Sequence, residues 1–132
     1  MVSTLKSDPI FDLIGKYLAS GEGVETVKKI AAVYQFDILE KKGGKVAKTW
    51  TIDMKNDKGY CKEGKPEAYD SLFTMVDTDF VAITEGKLNP QMAVVQGKMK
   101  LKGNMKKATA FTPDLFPKPT PENMQKYSKA KF

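Results

Sequence analysis

The feature that most constrains the fold is a change in the spacing of apolar residues between residues 30 and 34. Phe11, Ile14 and Leu18 recur at intervals of three and four residues, which is the spacing of one face of a helix. From residue 34 to residue 38, apolar and polar side chains alternate instead, as they do along a half-buried strand. The sequence therefore predicts a protein that combines helices with a sheet.

Four consecutive segments show the alternation of strands, and short turns separate them. They lie near residues 34–38, 49–54, 60–61 and 69–75. Because tight turns join strands that run in opposite directions, this pattern predicts an antiparallel meander. In the second segment, Trp50, Ile52 and Met54 are expected to point into the protein. Thr49, Thr51 and Asp53 are expected to face water.

Capping residues predict where the helices begin. Asp8, followed by a proline, is expected to cap the first helix, and residues 24–30 predict a second. Asp77 or Thr78 is expected to cap a third helix, which stops at residue 86. Asn89, followed by a proline, and Asn104 are expected to start two more helices, at residues 90–96 and 105–111. Prolines then make a regular element unexpected until about residue 122.

Residues 98–102 alternate strictly between lysine and apolar side chains. Met99 and Leu101 are expected to face the core, and the three lysines to face solvent. Lysine on an exposed strand hinders pairing with another chain, so this strand is predicted at an edge of the sheet. Together the elements predict one α+β domain, with helices on one face of a largely antiparallel sheet.

The residue inventory argues against most catalytic and metal sites. The chain has no histidine, and Cys61 is its single cysteine. Zinc sites built from histidine and cysteine, histidine-based nucleophiles and an internal disulfide are therefore excluded. Carboxylate pairs and a serine–lysine dyad remain open, but no spacing singles one out. We expect a protein that is not an enzyme and that binds neither metal nor cofactor.

The net charge of +6 is concentrated near the C-terminus. Residues 98–132 contain nine lysines and two acidic residues, whereas residues 1–97 have a net charge of −1. All 22 basic residues are lysine, and the absence of arginine argues against a nucleic-acid partner. A solvated lysine-rich face is the simpler interpretation. Without a long apolar run or a secretory signal, the chain is expected to be soluble and intracellular.

The segment from Phe73 to Ala108 contains a series of short motifs. It contains the sequences TM, DTDF, GKLNPQ, QGKMK and GNM in this order. Further matching pieces lie upstream, among them VKKI at residues 27–30 and GGK at residues 43–45. In this order the motifs closely resemble the sterol carrier protein type 2 domain, a family of non-specific lipid-transfer proteins. The resemblance covers about residues 9–111.

This resemblance implies a five-stranded, largely antiparallel sheet covered on one face by about five helices, with an apolar tunnel between the layers. It implies a lipid-binding domain at residues 1–111 that binds and transfers fatty acids, fatty acyl-CoA, phospholipids and sterols as a monomer. The alternative is an acyl-CoA-handling accessory or enzyme domain of peroxisomal β-oxidation. The residues that we expect to contact lipid are Phe11, Ile14, Leu18, Trp50, Phe73, Phe80, Ile83, Met92, Val95, Gln96, Met99, Leu101, Met105 and Phe111.

The residues alone leave these roles open. The same apolar side chains would equally form a closed core, and Trp50 would form either the floor of a tunnel or part of that core. Gln96 would hold a ligand headgroup or lie at the surface. Asp77 and Asp79 resemble an acid pair, but first-turn carboxylates usually interact with the dipole of their helix.

The last residues of the sequence resemble a targeting signal. Residues 112–132 are predicted to form a proline-rich linker and a basic tail. Its end, Ala130, Lys131 and Phe132, resembles a peroxisomal targeting signal whose reference form is Ser-Lys-Leu. We therefore expect an import receptor as a partner and a peroxisomal location, with the cytoplasm as the alternative. Lys106 and Lys107, if they face outward, would favour transient contact with anionic membranes.

Overall fold

The computed structural model describes residues 5–112 and 115–129. In this part of the chain, five strands form one sheet and six helices accompany it. The elements are α1 (Asp8–Ala19), α2 (Val24–Ile30), β1 (Ala32–Leu39), β2 (Val46–Met54), β3 (Tyr60–Glu63), β4 (Ser71–Val76), α3 (Asp77–Thr84), α4 (Pro90–Val95), β5 (Met99–Gly103), α5 (Met105–Ala110) and α6 (Pro121–Lys129). The predicted α+β architecture with helices on one face of a five-stranded sheet is confirmed.

The strand order corrects the predicted meander. The order is β3-β2-β1-β4-β5, so β4 pairs with β1 and not with β3. β1 and β4 run parallel, while the other three pairs are antiparallel. The chain crosses between β3 and β4 through residues 64–70, and hydrogen bonds anchor both ends of this crossing. The Thr51 hydroxyl donates to the Gly64 carbonyl at 2.7 Å, and the Asp70 amide donates to the Val33 carbonyl at 2.8 Å.

Two side chains that were expected to face water are buried. Thr51 is fully buried because its hydroxyl binds the crossing segment at Gly64. Asp53 is buried because its carboxylate accepts from the amides of Lys55 and Asn56 and so closes the next turn. Both predictions were wrong for the same reason, since a polar side chain with hydrogen-bond partners does not need water.

The helix caps follow the sequence only in part. Asn89 and Asn104 cap α4 and α5 through their side-chain oxygens, as predicted. Asp8 is not a cap, because α1 begins at that residue, and its carboxylate accepts from Lys48 at 3.0 Å. Neither Asp77 nor Thr78 caps α3, which Val76 precedes without a side-chain cap. The Asp77 carboxylate instead accepts from the amides of Lys6 and Ser7, at 2.9 and 2.8 Å, and fixes the segment before α1.

The core lies between the helices and the apolar face of the sheet. Phe11 of α1 stacks between Trp50 of β2 and Phe80 of α3, with centroid distances of 4.7 and 4.4 Å. Tyr34 and Ile52 at the centre of the sheet are fully buried beneath the helices. The core therefore lies mainly between α1 and α2 on one side and β1 and β2 on the other.

No helix of the described residues is long and apolar enough to span a bilayer.

The C-terminal segment contains the helix α6, which begins at about the residue where the prolines first allow a regular element. α6 packs against α1, and the rings of Tyr17 and Tyr127 meet edge to face at 5.6 Å. Tyr127 is buried, and Phe116 also contacts Tyr17. The boundary at residue 111 stays a prediction, but the described part of residues 112–132 lies on the body of the protein. The predicted targeting residues Ala130, Lys131 and Phe132 lie outside the described residues.

Candidate functional site: an apolar groove beside the edge of the sheet

A groove of about 860 Å³ opens between β4 and β5 on one side and α3, α4 and α5 on the other. Residues 111–118 contribute a further wall. Next to it lies a smaller cavity of about 50 Å³, which reaches Ile10 and Ile14 of α1. The two spaces share the walls Phe73, Ile83, Thr84, Pro90, Met99, Phe111 and Phe116. The inner cavity and the groove are therefore adjacent, and we refer to the two together as the hollow.

The hollow exists because the two helices beside β5 contribute little volume. Each has six residues and one buried side chain, Ala93 in α4 and Ala108 in α5. A buried alanine brings a helix close to the sheet but fills no space between its neighbours. Met99 and Leu101 of β5 consequently line the groove with their apolar side chains. Since close-packed interiors tolerate few such voids, an apolar hollow is the space that an apolar guest would complete.

Phenylalanine rings form the inner end of the hollow. Phe36 and Phe73 stack at 4.8 Å, and Phe111 lies 5.4 Å from Phe36 and 5.7 Å from Phe73. Phe116 packs on Phe111 at 5.5 Å, and Phe80 meets Phe36 edge to face at 5.8 Å. This end offers ring faces and edges and so favours hydrocarbon over polar groups.

Polar side chains line the groove, and one of them, Thr84, also lines the inner cavity. The hydroxyls of Thr84 and Thr109 donate to carbonyls of their own helices, Val81 and Lys106, and keep acceptor capacity towards the groove. Gln91 and Thr112 also line the wall. Lys118 is the single charged side chain among the described lining residues, and it is exposed. The opening therefore suits a polar or anionic end group, while the interior suits an apolar chain.

Seven of the fourteen predicted lipid contacts line the hollow. They are Ile14, Phe73, Phe80, Ile83, Met99, Leu101 and Phe111. The structure places the other seven elsewhere. Phe11, Leu18 and Trp50 pack in the core, whereas Met92, Val95, Gln96 and Met105 are exposed at the surface. Trp50 is half-buried against the core, where its ring stacks on Phe11, and it does not line the hollow.

Several lining residues are not among the predicted lipid contacts. Phe36 and Met75 share the sheet face of Phe73, so their alternation carried a usable signal. Ile10 adjoins the predicted Phe11 on α1. Phe116 had no such signal, because it lies between prolines in a segment without periodicity. Its place in the wall depends on how the chain returns from α5 towards α1.

Two side chains near the sheet, those of Tyr34 and Lys107, form structural hydrogen bonds. The Tyr34 hydroxyl donates to the Lys107 carbonyl at 2.7 Å and joins β1 to α5. Burial, with a smaller contribution from the charge of Asp70, raises the pKa of Tyr34 to about 12. The Lys107 ammonium donates to the Ile30 carbonyl at 2.8 Å, so of the predicted pair only Lys106 is exposed. Burial raises the pKa of the Cys61 thiol, which keeps it protonated and unreactive at neutral pH.

These observations define a class of protein. A small α+β domain with an apolar hollow of several hundred Å³ and a few polar groups at its opening has the geometry of a binding protein for an apolar molecule. Among the described residues, no cluster of three or more histidine, cysteine, aspartate or glutamate side chains is suited to a metal ion.

The comparisons with known proteins agree with this class. The SCP-2 sterol transfer family matches residues 12–115. Sterol carrier protein 2 of Arabidopsis thaliana is 45% identical over 88% of this chain and 94% of its own length. The chain belongs to the SCP-2 sterol transfer family, and its class is therefore that of lipid-binding and lipid-transfer proteins.

Longer relatives match over a short part of their length. Human sterol carrier protein 2 is 43% identical over 76% of this chain but 18% of its own length. The mouse peroxisomal multifunctional enzyme type 2 is 40% identical over 76% of this chain and 14% of its own length. This chain corresponds to less than a fifth of each of these two proteins.

Two solved structures share the fold over nearly their whole length. Sterol carrier protein 2 of Yarrowia lipolytica, in its apo form, has a TM-score of 0.74 at 33% identity and covers 95% of this chain and 96% of its own. The sterol carrier protein 2 of Aedes aegypti, in complex with palmitate, has a TM-score of 0.67 at 33% identity and covers 86% of this chain and 96% of its own.

Proposed function

We propose that this protein carries lipids that have a long acyl chain or a sterol skeleton, with the apolar part held in the hollow beside β5. The observation that carries the proposal is the size and lining of that hollow, about 860 Å³ of groove next to the cavity among the phenylalanines. Fatty acids, fatty acyl-CoA, phospholipids and sterols are the ligands that the family implies. The palmitate bound by the Aedes aegypti relative supports the first of them.

The energetics favour acyl chains. Each methylene that leaves water for an apolar site gains about 0.8 kcal/mol. A long chain therefore gains on the order of 10 kcal/mol, from which the cost of ordering the chain and restricting the ligand is subtracted. The surplus is sufficient for binding without specific polar contacts, so one binding space serves several lipid classes.

The distribution of polar groups gives the ligand an orientation. The methyl end lies towards Phe36 and Phe73, where the walls are rings. The headgroup lies at the opening, within reach of Thr112 and the ammonium of Lys118. Lys118 is the one lysine among the described residues that line the groove, so the headgroup adds little to the affinity, because an exposed ion pair contributes about 1 kcal/mol or less.

A carrier fits the chemistry of this chain better than an enzyme does. The walls of the hollow present threonine, asparagine and glutamine side chains and one lysine, and this set lacks an activated nucleophile or a general base. The alternative, an acyl-CoA-handling accessory or enzyme domain of peroxisomal β-oxidation, is favoured by the match to the mouse multifunctional enzyme. Turnover of an acyl-CoA by the purified chain would support that alternative.

The peroxisome is the location that fits this function. The match to a peroxisomal enzyme and the resemblance of Ala130, Lys131 and Phe132 to a targeting signal both support it. Recognition by an import receptor is part of this proposal, and the protein is expected to act as a monomer. Transfer also requires encounters with bilayers, and the lysine-rich residues 98–132 favour anionic ones.

Two substitutions on α5, each of which replaces an alanine with phenylalanine, test the site. Ala108 lines the groove, whereas Ala110 is exposed on the same helix. Ala108→Phe is expected to occupy the groove and to weaken binding of a fluorescent fatty acid at least tenfold, since about two methylenes of buried chain would be displaced. Ala110→Phe is the matched control and should bind as the wild type does. Circular dichroism verifies that both variants are folded.

Three results would contradict the proposal. One is the absence of saturable, competable fatty-acid binding by the wild-type protein. Another is equal binding by the Ala108→Phe and Ala110→Phe variants, which would place the ligand elsewhere. The third is the absence of bound palmitate in native mass spectrometry, when the natively purified protein has been incubated with palmitate.

A further inference from the structure

The rim of the groove exposes apolar side chains. Among the described residues, Met92, Val94, Val95 and Met105 are four of the seven large hydrophobic side chains that are exposed, and Val95 is the most exposed of them at 78%. Met92, Val94 and Val95 belong to α4, and Met105 begins α5. We name these four residues the rim patch. Single exposed apolar residues are ordinary, but a group at the opening of a binding site marks an interaction surface.

Helix geometry places the rim patch beside the opening. Val94 itself lines the groove. Met105 precedes Ala108 and Thr109 by three and four residues, so it lies one turn away on the side of α5 that lines the groove. Ala93 anchors α4 on β5, and Val95 points away from that contact because it is two residues further along the helix. The exposed side of α4 therefore borders the same opening that the ligand must cross.

The charge of the molecule is concentrated in the same elements. Residues 86–112 contain six lysines and no acidic residue, whereas the rest of the chain contains sixteen lysines and sixteen acidic residues. The whole net charge of +6 thus resides in the segment that contains α4, β5 and α5. Lys98 and Lys106 are exposed, and neither forms an ion pair with a described residue. A surface of this composition is complementary to an anionic partner.

We propose that the rim patch, with Lys98 and Lys106, docks the protein on an anionic lipid bilayer, so that the groove opens against the membrane. This proposal rests on the proposed lipid-carrier function. In the docked state Met92 and Val95 enter the acyl region, and the lysines contact the headgroups. A second copy of the chain fits this surface poorly, because the contact would bring Lys98 and Lys106 of both copies together, and residues 86–112 contain no acidic residue as a counter-charge.

The amphipathic helix α1 does not offer an equivalent surface. Its apolar residues Ile10, Phe11, Leu13, Ile14 and Leu18 are all buried. α6 covers a further part of α1. Membrane contact through α1 would require that its core contacts be broken, whereas α4 already presents its apolar side chains to solvent.

Vesicle binding tests the proposal with matched variants. The probe is phosphatidylcholine vesicles with or without phosphatidylserine, separated from free protein by flotation. Lys98→Gln with Lys106→Gln is expected to weaken binding to the anionic vesicles about twenty-five-fold, at about fivefold for each lysine. The matched control is Lys100→Gln with Lys102→Gln, which removes the same charge. These two exposed lysines lie within β5, alternate with Met99 and Leu101, and therefore lie on the face of the strand away from the groove. Lys98 precedes β5, and its amide donates to the Ala93 carbonyl of α4 at 2.8 Å, which keeps it beside the rim patch. Loss of the two control lysines should therefore weaken binding less than about threefold.

An apolar pair of variants tests insertion. Val95→Gln is expected to weaken vesicle binding about tenfold, because it replaces a buried isopropyl group with an amide. Val46→Gln is the control, since Val46 is also exposed but lies on β2, which β1 and β4 separate from β5. A fluorophore attached in a Val95→Cys variant should shift its emission to shorter wavelength on anionic vesicles. The half-buried Cys61 is the single native cysteine and is replaced by serine in this variant, so that the label reacts at position 95 alone.

The outcomes separate this proposal from the lipid-carrier function. All of these variants should bind a fluorescent fatty acid in solution as the wild type does, because none of the substituted residues lines the groove. If the wild type binds fatty acid but the rim and control variants bind vesicles equally, the docking surface is wrong and the carrier function stands. A dimer that Val95→Gln dissociates in sedimentation would overturn the proposal in favour of a second copy. If the wild type binds no lipid, the carrier function fails first.

Discussion

Tyr34 shows how a single side chain connects the layers of this protein. Its ring is fully buried in the core, and its hydroxyl donates to a carbonyl in α5, which forms a wall of the groove. The bond satisfies a carbonyl near the C-terminal end of a short helix, where the intrahelical partner is missing. One residue thus links the centre of the sheet to the helix beside the binding site.

The stability of the protein should fall at alkaline pH because of Tyr34. In the unfolded chain a tyrosine loses its proton near pH 10, whereas the folded protein keeps the Tyr34 proton up to about pH 12. Between these values the unfolded state binds fewer protons, so the free energy of unfolding decreases as the pH rises. Below pH 10 the contribution is constant.

The variant Tyr34→Phe tests whether Tyr34 causes the free energy of unfolding to decrease above pH 10. At pH 7 it is expected to lower the free energy of unfolding by about 1 kcal/mol, because the Lys107 carbonyl loses its donor. Above pH 10 the difference from the wild type should shrink, since phenylalanine does not ionise. Urea denaturation at pH 7 and at several values between 10 and 12 measures it. Curves that remain parallel would show that Tyr34 ionises equally in both states.

Asp77 and Thr51 show what the sequence could not predict at this scale. Both are polar residues in positions where a local pattern points to a cap or to solvent. Their partners, Ser7 and Gly64, are brought to them by the fold, in the case of Asp77 from 70 residues away. Periodicity describes which side of an element faces inward, but it does not show what covers the other side.

At the scale of elements, the positions of the helices and strands were largely predictable. α2 has the predicted bounds, and Asn89 and Asn104 cap their helices as expected. These predictions are correct because a capping side chain bonds to a backbone amide no more than three residues further along the chain, so the signal is local. The pairing of β4 with β1 was not predictable in the same way, because the seven residues 64–70 carry no signal for the strand that they reach.

Gly103 joins two of these elements at a close approach. It has a φ of 92°, and a Cβ at this position would collide with the carbonyl oxygen of Asp70. Gly86 has a similar φ of 80° but open space around it. The comparison of these two glycines separates backbone strain from steric overlap.

Gly103→Ala is expected to destabilise the protein by about 3 kcal/mol or more, because the clash pushes β5 from β4 in addition to the strain of a positive φ. Gly86→Ala, which adds strain alone, should cost about 1 kcal/mol. Denaturant unfolding of both variants provides the comparison. Equal losses would mean that β5 can move away from Asp70 without cost.

For the whole molecule, the hollow is the property that depends on every layer at once. Seven predicted contacts line it, yet Trp50 and Met92, which have equally suitable side chains, do not. An apolar residue on the inner face of an element faces either a neighbour or a void. The relative positions of α4, α5 and β5 determine whether such a side chain meets a neighbour or a void. The family resemblance implied an apolar space between the layers, which the residues alone did not predict.

The C-terminal helix belongs to the same arrangement. Residues 115–118 run from the groove wall to α6, and α6 is held on α1 by the contact between Tyr127 and Tyr17. Burial, followed by the hydrogen bond to Glu22, raises the pKa of Tyr127 to about 12, as expected for a phenol in a packed position. The wall that contains Phe116 is thus supported from both of its ends, by α5 and by α6.

Tyr127→Ala tests whether this support contributes to global stability. If the C-terminal segment folds with the rest, losing a buried aromatic ring should lower the free energy of unfolding by about 2–4 kcal/mol. Tyr69→Ala, which removes an exposed tyrosine, should cost less than about 0.5 kcal/mol. Thermal and urea unfolding measure both variants, and limited proteolysis locates any opening. If residues 1–111 were independent, Tyr127→Ala would leave the unfolding transition unchanged and expose only residues after 111 to protease. A loss of stability across the whole transition instead means that α6 and the groove wall unfold together with the sheet.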